Sequence, residues 1–145
     1  MNPLRAFIDP LFWHRISSAL HRKGMRSLSH FIDHGVRWWF VCFVPGSAQI
    51  GVGTRLGYGG MAIVIHKAAC LGNRVIVGPG VVIGGNGIQQ GVPVIGDDVL
   101  IGAGAKLLGP IRVGHRAHIG ANAVVLTDVP DDATAVGVPA RVKRA

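Results

Sequence analysis

A chain of 145 residues is long enough for one domain with a real core, its 22 glycines call for many corners, and a charged content of only 15% leaves much of the surface buried or covered by other subunits. Lys and Arg outnumber Asp and Glu by 15 to 7, a surplus that suits nucleic acid, a membrane surface or an anionic ligand. No aromatic-interleaved basic stretch supports nucleic acid, and the most apolar run, Val36 to Pro45, contains Arg37 and falls far short of the ~20 residues of a spanning helix. Cys42 and Cys70 have no metal-like spacing and lie in apolar surroundings, so they read as buried thiols of a reducing, cytoplasmic compartment.

Residues 1 to 46 form an N-terminal helical segment. Phe12, Ile16 and Leu20 fall four apart, and Leu28, Phe31 and Ile32 repeat helical spacing further on. Gly24, Gly35 and Pro45 punctuate the text, which predicts two helices, roughly 9–23 and 26–42. Trp13, Trp38, Trp39, Phe40 and Phe43 make the segment unusually apolar. Such aromatics either cover the open end of a repeat structure or a neighbouring subunit, or form a membrane-surface helix.

From about residue 47 to 130 the grammar changes. Between Ile95 and Val129 an Ile, Leu or Val returns every six residues, usually followed by Gly, as in Ile95-Gly96, Ile101-Gly102, Val113-Gly114 and Ile119-Gly120. Six residues fit neither an amphipathic helix nor an alternating strand. They are the period of a parallel β-helix of hexapeptide repeats, in which each first-position aliphatic stacks on the one below. The frame is visible earlier as well, at Ile50, Leu56, Ile65, Leu71, Val77 and Ile83. It is interrupted twice, by a three-residue slip across Gly57 to Ala62 and by the polar loop Gly85 to Pro93. Irregularities in a regular scaffold are where sites usually live. Residues 131–145 read as a C-terminal extension with a basic end.

The stretches Ile101-Gly-Ala-Gly-Ala-Lys106, Asp128-Val-Pro130 and Gly137-Val-Pro-Ala-Arg141 resemble the hexapeptide-repeat acyltransferases, and among them the serine O-acetyltransferase group. The resemblance covers about residues 45–142. It implies a mainly β fold built on a left-handed parallel β-helix, a homotrimer, and acetyl-CoA as donor, bound between adjacent subunits with no metal required. The chain departs from that group where Gly57-Tyr58 stands for Asp-His and Val92 stands for a His before Pro93. At this point it is similar instead to small acetyltransferases in which Tyr-Gly-Gly is followed by Val-Ile-His, here Tyr58-Gly59-Gly60 and Val64-Ile65-His66.

Moving an acyl group from a thioester to a hydroxyl needs a base for the acceptor proton and donors for the developing oxyanion. A histidine, ordinarily titrating near ~6.5, suits the base. His14, His21, His30 and His34 lie in the helical segment and read as surface or interface residues; His115 and His118 sit in a regular hexad and read as wall decoration. His66 takes a slot usually held by Gly, just after the first interruption, and is the candidate base; its bland alternative is an interfacial side chain. Tyr58 could donate to the oxyanion or position an acceptor. By resemblance, the donor runs along Gly84, Gly85, Ala103 and Ala121 near Lys106, where small residues let a pantetheine arm approach backbone amides. Arg141, Lys143 and Arg144 would meet its phosphates, and Asn86, Gln89 and Gln90 the acceptor or the arm. The acceptor is expected to be serine, or alternatively a sugar hydroxyl. A zinc carbonic anhydrase of the same architecture and a non-catalytic CoA-binding relative are the competing classes.

Overall fold

The computed structural model describes residues 9–143. Helix α1 (Pro10–Arg22) starts where Asp9 accepts a hydrogen bond from Leu11 N at 2.9 Å and where Pro10, with its preset φ, needs no N–H partner. Helix α2 (Arg26–Phe40) stops at Val41, whose φ of 52° is left-handed. Both lie within two residues of the spans predicted from the spacing. The helices approach closely because Ser17 and Ser29 are small. Ser29 Oγ lies 2.8 Å from Ser17 Oγ, which donates at 2.6 Å to Asp33; Asp33 also accepts from Gly46 N at 3.1 Å. One carboxylate thus ties the helical pair to the chain entering the solenoid.

The solenoid has three flat faces. The first carries β1 (Gln49–Ile50), β4 (Cys70–Leu71), β7 (Val94–Ile95) and β10 (Arg112–Val113). The second carries β2 (Arg55–Leu56), β5 (Ile76–Val77), β8 (Leu100–Ile101), β11 (His118–Ile119) and β13 (Thr134–Val136), and β14 (Arg141–Lys143) returns antiparallel along its edge. The third carries β3 (Val64–Ile65), β6 (Val82–Gly84), β9 (Lys106–Leu108) and β12 (Val124–Val125). Neighbours within each face are parallel apart from β14, and first-position residues sit in register: Leu71 on Ile95, Ile95 on Val113, Val77 on Ile101, Ile83 on Leu107. These columns and the fifth-position column of Ile63, Val81, Ala105 and Ala123 form the buried core. Each Ile, Leu or Val side chain so buried contributes roughly 1.5–3 kcal/mol.

Regularity survives both interruptions. Cys70 still pairs with Gln49 across the first, and Val94 with Cys70 across the second, so the extra residues leave at corners without shifting the strands. The corner between first and second faces shows what holds the coils in step. Arg74, Asp98, Arg116 and Asp132 occupy equivalent left-handed positions there, with φ between 55° and 59°. Their side chains pair between coils, Arg74 with Asp98 at 2.6 Å and Arg116 with Asp132 at 2.7 Å. Those guanidinium hydrogen bonds hold the Asp98 and Asp132 carboxyls below the usual carboxylate range. Beside them Asn73, Asp97, His115 and Asp131 each accept from a backbone N–H of the preceding coil, at 2.7–3.0 Å. His115 is therefore part of the wall's own hydrogen bonding.

Candidate active site along the third face

Most of the sequence candidates lie on the third face and its two corners, whereas Arg141 and Lys143 lie on β14 at the edge of the second face. The entry corner, arriving from the second face, carries Tyr58 on the first coil, Ala103 on the third and Ala121 on the fourth. The exit corner, leading to the first face, carries His66 on the first coil and the Gly85–Pro93 loop on the second.

His66 directly follows β3, with its N–H donating to Ile83 O at 2.8 Å and its carbonyl accepting from Ala69 N at 2.9 Å. Gly84 lies directly over it: a Cβ there would sit 3.9 Å from the His66 Cβ. The imidazole is half-buried, and its Nδ1 accepts from Ala68 N–H at 3.1 Å. A neutral ring held this way carries its hydrogen on Nε2. The loop above is closed on itself by Asn86, whose Oδ1 accepts from Ile88 N at 3.0 Å and Gln89 N at 2.9 Å, while Nδ2 donates to Gln89 Oε1 at 3.3 Å. It is seated on the coil beyond, because Gly109 leaves room for the Asn86 amide; a Cβ there would be 2.8 Å from Nδ2. The structure thus brings His66, Gly84, Gly85, Asn86 and Gln89 to one corner, and Asn86 spends its hydrogen bonds on shaping the loop.

Tyr58 stands apart from this group, at the opposite corner of the same coil. It sits in the 3-10 turn Gly57–Gly60 with a φ of 51°, uncommon for a side-chain-bearing residue, and its ring is exposed. The turn is braced by α1, since a Cβ on Gly60 would come within 3.0 Å of Pro10 Cγ. Further along the entry corner the coils stack through small residues. A Cβ on Gly78 would lie 2.6 Å from Ala103 N, and one on Gly102 2.5 Å from Ala121 N. Ala103 and Ala121 are exposed, so backbone is open to a ligand there. Lys106 starts β9 on the exposed side and donates from Nζ to Gly104 O at 2.9 Å. Arg141 and Lys143 are exposed on β14, paired with Val136 and Thr134, rather than on a loose tail; Arg144 lies outside the described residues.

One grouping escaped the sequence. His21, His30, His34, Arg37 and Lys67 line a cleft of about 130 Å³ next to the exit corner, with Lys67 immediately following His66. The signal was present, in the helical spacing of His30, His34 and Arg37. Nothing in the text said that this side of α2 would meet Lys67. Among the described residues no three His, Cys, Asp or Glu side chains come together as a metal site would need.

The family described as bacterial transferase hexapeptide (six repeats) matches residues 93–127. A serine acetyltransferase of Bacillus subtilis (strain 168) is 42% identical over 137 residues, covering 93% of this chain and 63% of its own length. One from Helicobacter pylori (strain J99 / ATCC 700824) is 38% identical over 136 residues, with 92% and 79% covered. A solved serine acetyltransferase in complex with CoA superposes with a TM-score of 0.86 at 36% identity, over 92% of this chain and 55% of that one. The chain thus spans between about half and four fifths of these relatives. Its solenoid is the left-handed parallel β-helix of that fold. With four fifths of the Helicobacter pylori protein covered at this identity, and a hexad frame that runs through every coil, the chain belongs to the serine acetyltransferase family of hexapeptide-repeat transferases.

Proposed function

We propose that the protein is an acetyl-CoA-dependent O-acetyltransferase that works as a cytoplasmic homotrimer and acetylates the hydroxyl of serine or a similar small acceptor. The observation that carries this reading is His66 stacked under Gly84 at the mouth of the Gly85–Pro93 loop, in a chain whose relatives are serine acetyltransferases and include one solved with CoA. The pantetheine arm lies along the exposed side of the third face, against Gly84 and Gly85 of one copy and the open backbone at Ala103 and Ala121 of a neighbour. Lys106, Arg141 and Lys143 meet its phosphates, and Gln89 borders the acceptor. His66 takes the acceptor's hydroxyl proton as the oxygen attacks the thioester carbonyl. The C–S bond then breaks, and the imidazolium returns the proton to the CoA sulfur. Taking a proton through Nε2 requires the neutral ring to carry its hydrogen on Nδ1, so the Ala68 bond to Nδ1 is given up when the acceptor binds. Tyr58 of a neighbouring copy positions the acceptor or donates to the oxyanion.

The test is thiol release from acetyl-CoA, followed with a thiol-reactive dye, in the presence of serine or a panel of sugars. Release should depend on one acceptor, and His66→Ala should lower kcat/KM by about 10²- to 10⁴-fold. Unchanged release in that variant would remove His66 as the base. Saturable CoA binding without release for any acceptor would favour a non-catalytic relative.

A further inference from the structure

The cleft beside the exit corner has no part in the proposed reaction. Phe43 bridges to Val64, which pairs with Val82, so along the third face the chain entering the solenoid lies one coil below His66 and the Gly85–Pro93 loop one coil above it. The turn at 45–48 is the lower equivalent of the turn at 66–69: Ala48 N donates to Pro45 O at 3.0 Å, as Ala69 N does to His66 O at 2.9 Å. The cleft is bordered by both turns and both helices. Lys67 comes from the upper turn, Ser47 from the lower, His21 from the last turn of α1, and His30, His34 and Arg37 from successive turns of α2.

Its charge is unbalanced. Asp33 is the one carboxylate among the described lining residues, and it already accepts from Ser17 Oγ at 2.6 Å and Gly46 N at 3.1 Å. Of the chain's seven acidic residues, five lie beyond residue 90, where they bind backbone N–H groups or arginines of the wall. Among the described residues no hydrogen bond or ion pair engages the side chains of His21, His30, His34, Arg37 or Lys67. Guanidinium and ammonium groups can only donate, and histidine is the side chain that gains positive charge as pH falls from 8 to 5. The histidines do not converge as metal ligands would. A concave set of donors with a cationic surplus suits an oxyanion. Size narrows the ligand further: about 130 Å³ is well below the ~300–1,000 Å³ of pockets that enclose a whole small molecule, so the cleft takes a single anionic group.

We propose that this cleft binds an oxyanion of the phosphate or sulfate type, held by Arg37 and Lys67 with His30 and His34 as further donors. The site is separate from the residues assigned to the donor's phosphates, since Lys106 starts β9 and Arg141 and Lys143 lie on β14. It does not depend on which reaction the third face performs. A bound oxyanion ties α2 to the turn that carries His66, the residue next to Lys67.

The experiment is a calorimetric titration of the full chain with sodium sulfate in phosphate-free buffer, with ionic strength held constant by sodium chloride. Sulfate keeps its double charge between pH 6 and pH 8, so any change of affinity over that range belongs to the protein. Binding should be saturable and about fivefold tighter at the lower pH. Arg37→Gln with Lys67→Gln should weaken it by about tenfold at both, and His30→Gln with His34→Gln should remove most of the pH dependence. Lys23→Gln with Arg26→Gln takes the same charge from the hairpin outside the cleft and should leave the affinity unchanged. All six positions are exposed, and circular dichroism would check that each variant stays folded. Absence of saturable binding at either pH overturns the proposal, as does an equal loss in the two charge-removing pairs, which would reduce the effect to general attraction. A parallel titration with CoA identifies the source of the group. Sulfate and CoA bound together make the occupant a separate ion, whereas competition, with CoA also weakened by Arg37→Gln and Lys67→Gln, makes it a phosphate of CoA.

Discussion

His14 is a buried histidine whose Nδ1 lies 3.4 Å from Val44 O. Burial lowers its pKa below the ordinary 6.5 and outweighs the carbonyl bond and the nearby Asp33 carboxylate, which favour the charged form. The folded protein therefore holds His14 neutral at a pH where the unfolded chain has begun to take up a proton. Where the unfolded state binds more protons, stability rises with pH, so this contribution is present above about pH 6.5 and is lost as pH falls through the lowered folded value. Thermal unfolding should show a falling midpoint from about pH 7.5 to 5.5, and His14→Gln should flatten part of that slope. Identical slopes in the two proteins would show that His14 does not carry it. The same burial pushes the Cys42 thiol up to about 11, which leaves it protonated and unreactive in the folded chain, whereas Cys70 is only half-buried.

Coils are held together by close backbone stacking more than by the ion pairs that decorate their corners. A Cβ on Gly102 would meet Ala121 N at 2.5 Å and Ala121 Cα at 2.8 Å, and neither backbone atom can swing away. The Arg116–Asp132 pair is well formed but solvated, and exposed pairs contribute little. Gly102→Ala should cost about 2 kcal/mol or more, whereas Arg116→Ala should leave the denaturation midpoint nearly unchanged. Equal losses in urea unfolding would put the coil register in the charge ladder instead. This contrast also explains what was legible. The hexad frame is dictated by a local rule, one inward aliphatic and one corner per six residues, so the column of Ile83, Leu107 and Val125 is legible in the sequence itself. The exit corner was legible because His66 breaks that rule at a glycine slot. What stayed hidden depends on how separate elements meet: the cleft that joins His30, His34 and Arg37 of α2 to Lys67, the antiparallel return of β14, and the loop-shaping hydrogen bonds of Asn86.

In the whole molecule the candidate residues are split between two corners of one face, His66 with Gly84 and Gly85 at the exit, and Tyr58 with Ala103 and Ala121 at the entry. In the proposed trimer each copy would supply half a site at each corner, and the donor groove would be complete where the exit corner of one copy meets the entry corner of the next. Assembly and CoA binding should then be linked, because a ligand that binds only the assembled form stabilises it by mass action. Sedimentation should show a three-chain species, and CoA at about a hundred times its Kd should add about 2.7 kcal/mol, a rise in Tm of about 5 to 10 °C for a chain of this size. Dilution to the point where the trimer dissociates should weaken CoA binding, and CoA should in turn shift the dissociation to lower protein concentration. A monomer that binds CoA as tightly as the assembled protein would place the donor within one copy, and both corners would have to be reconsidered as separate sites.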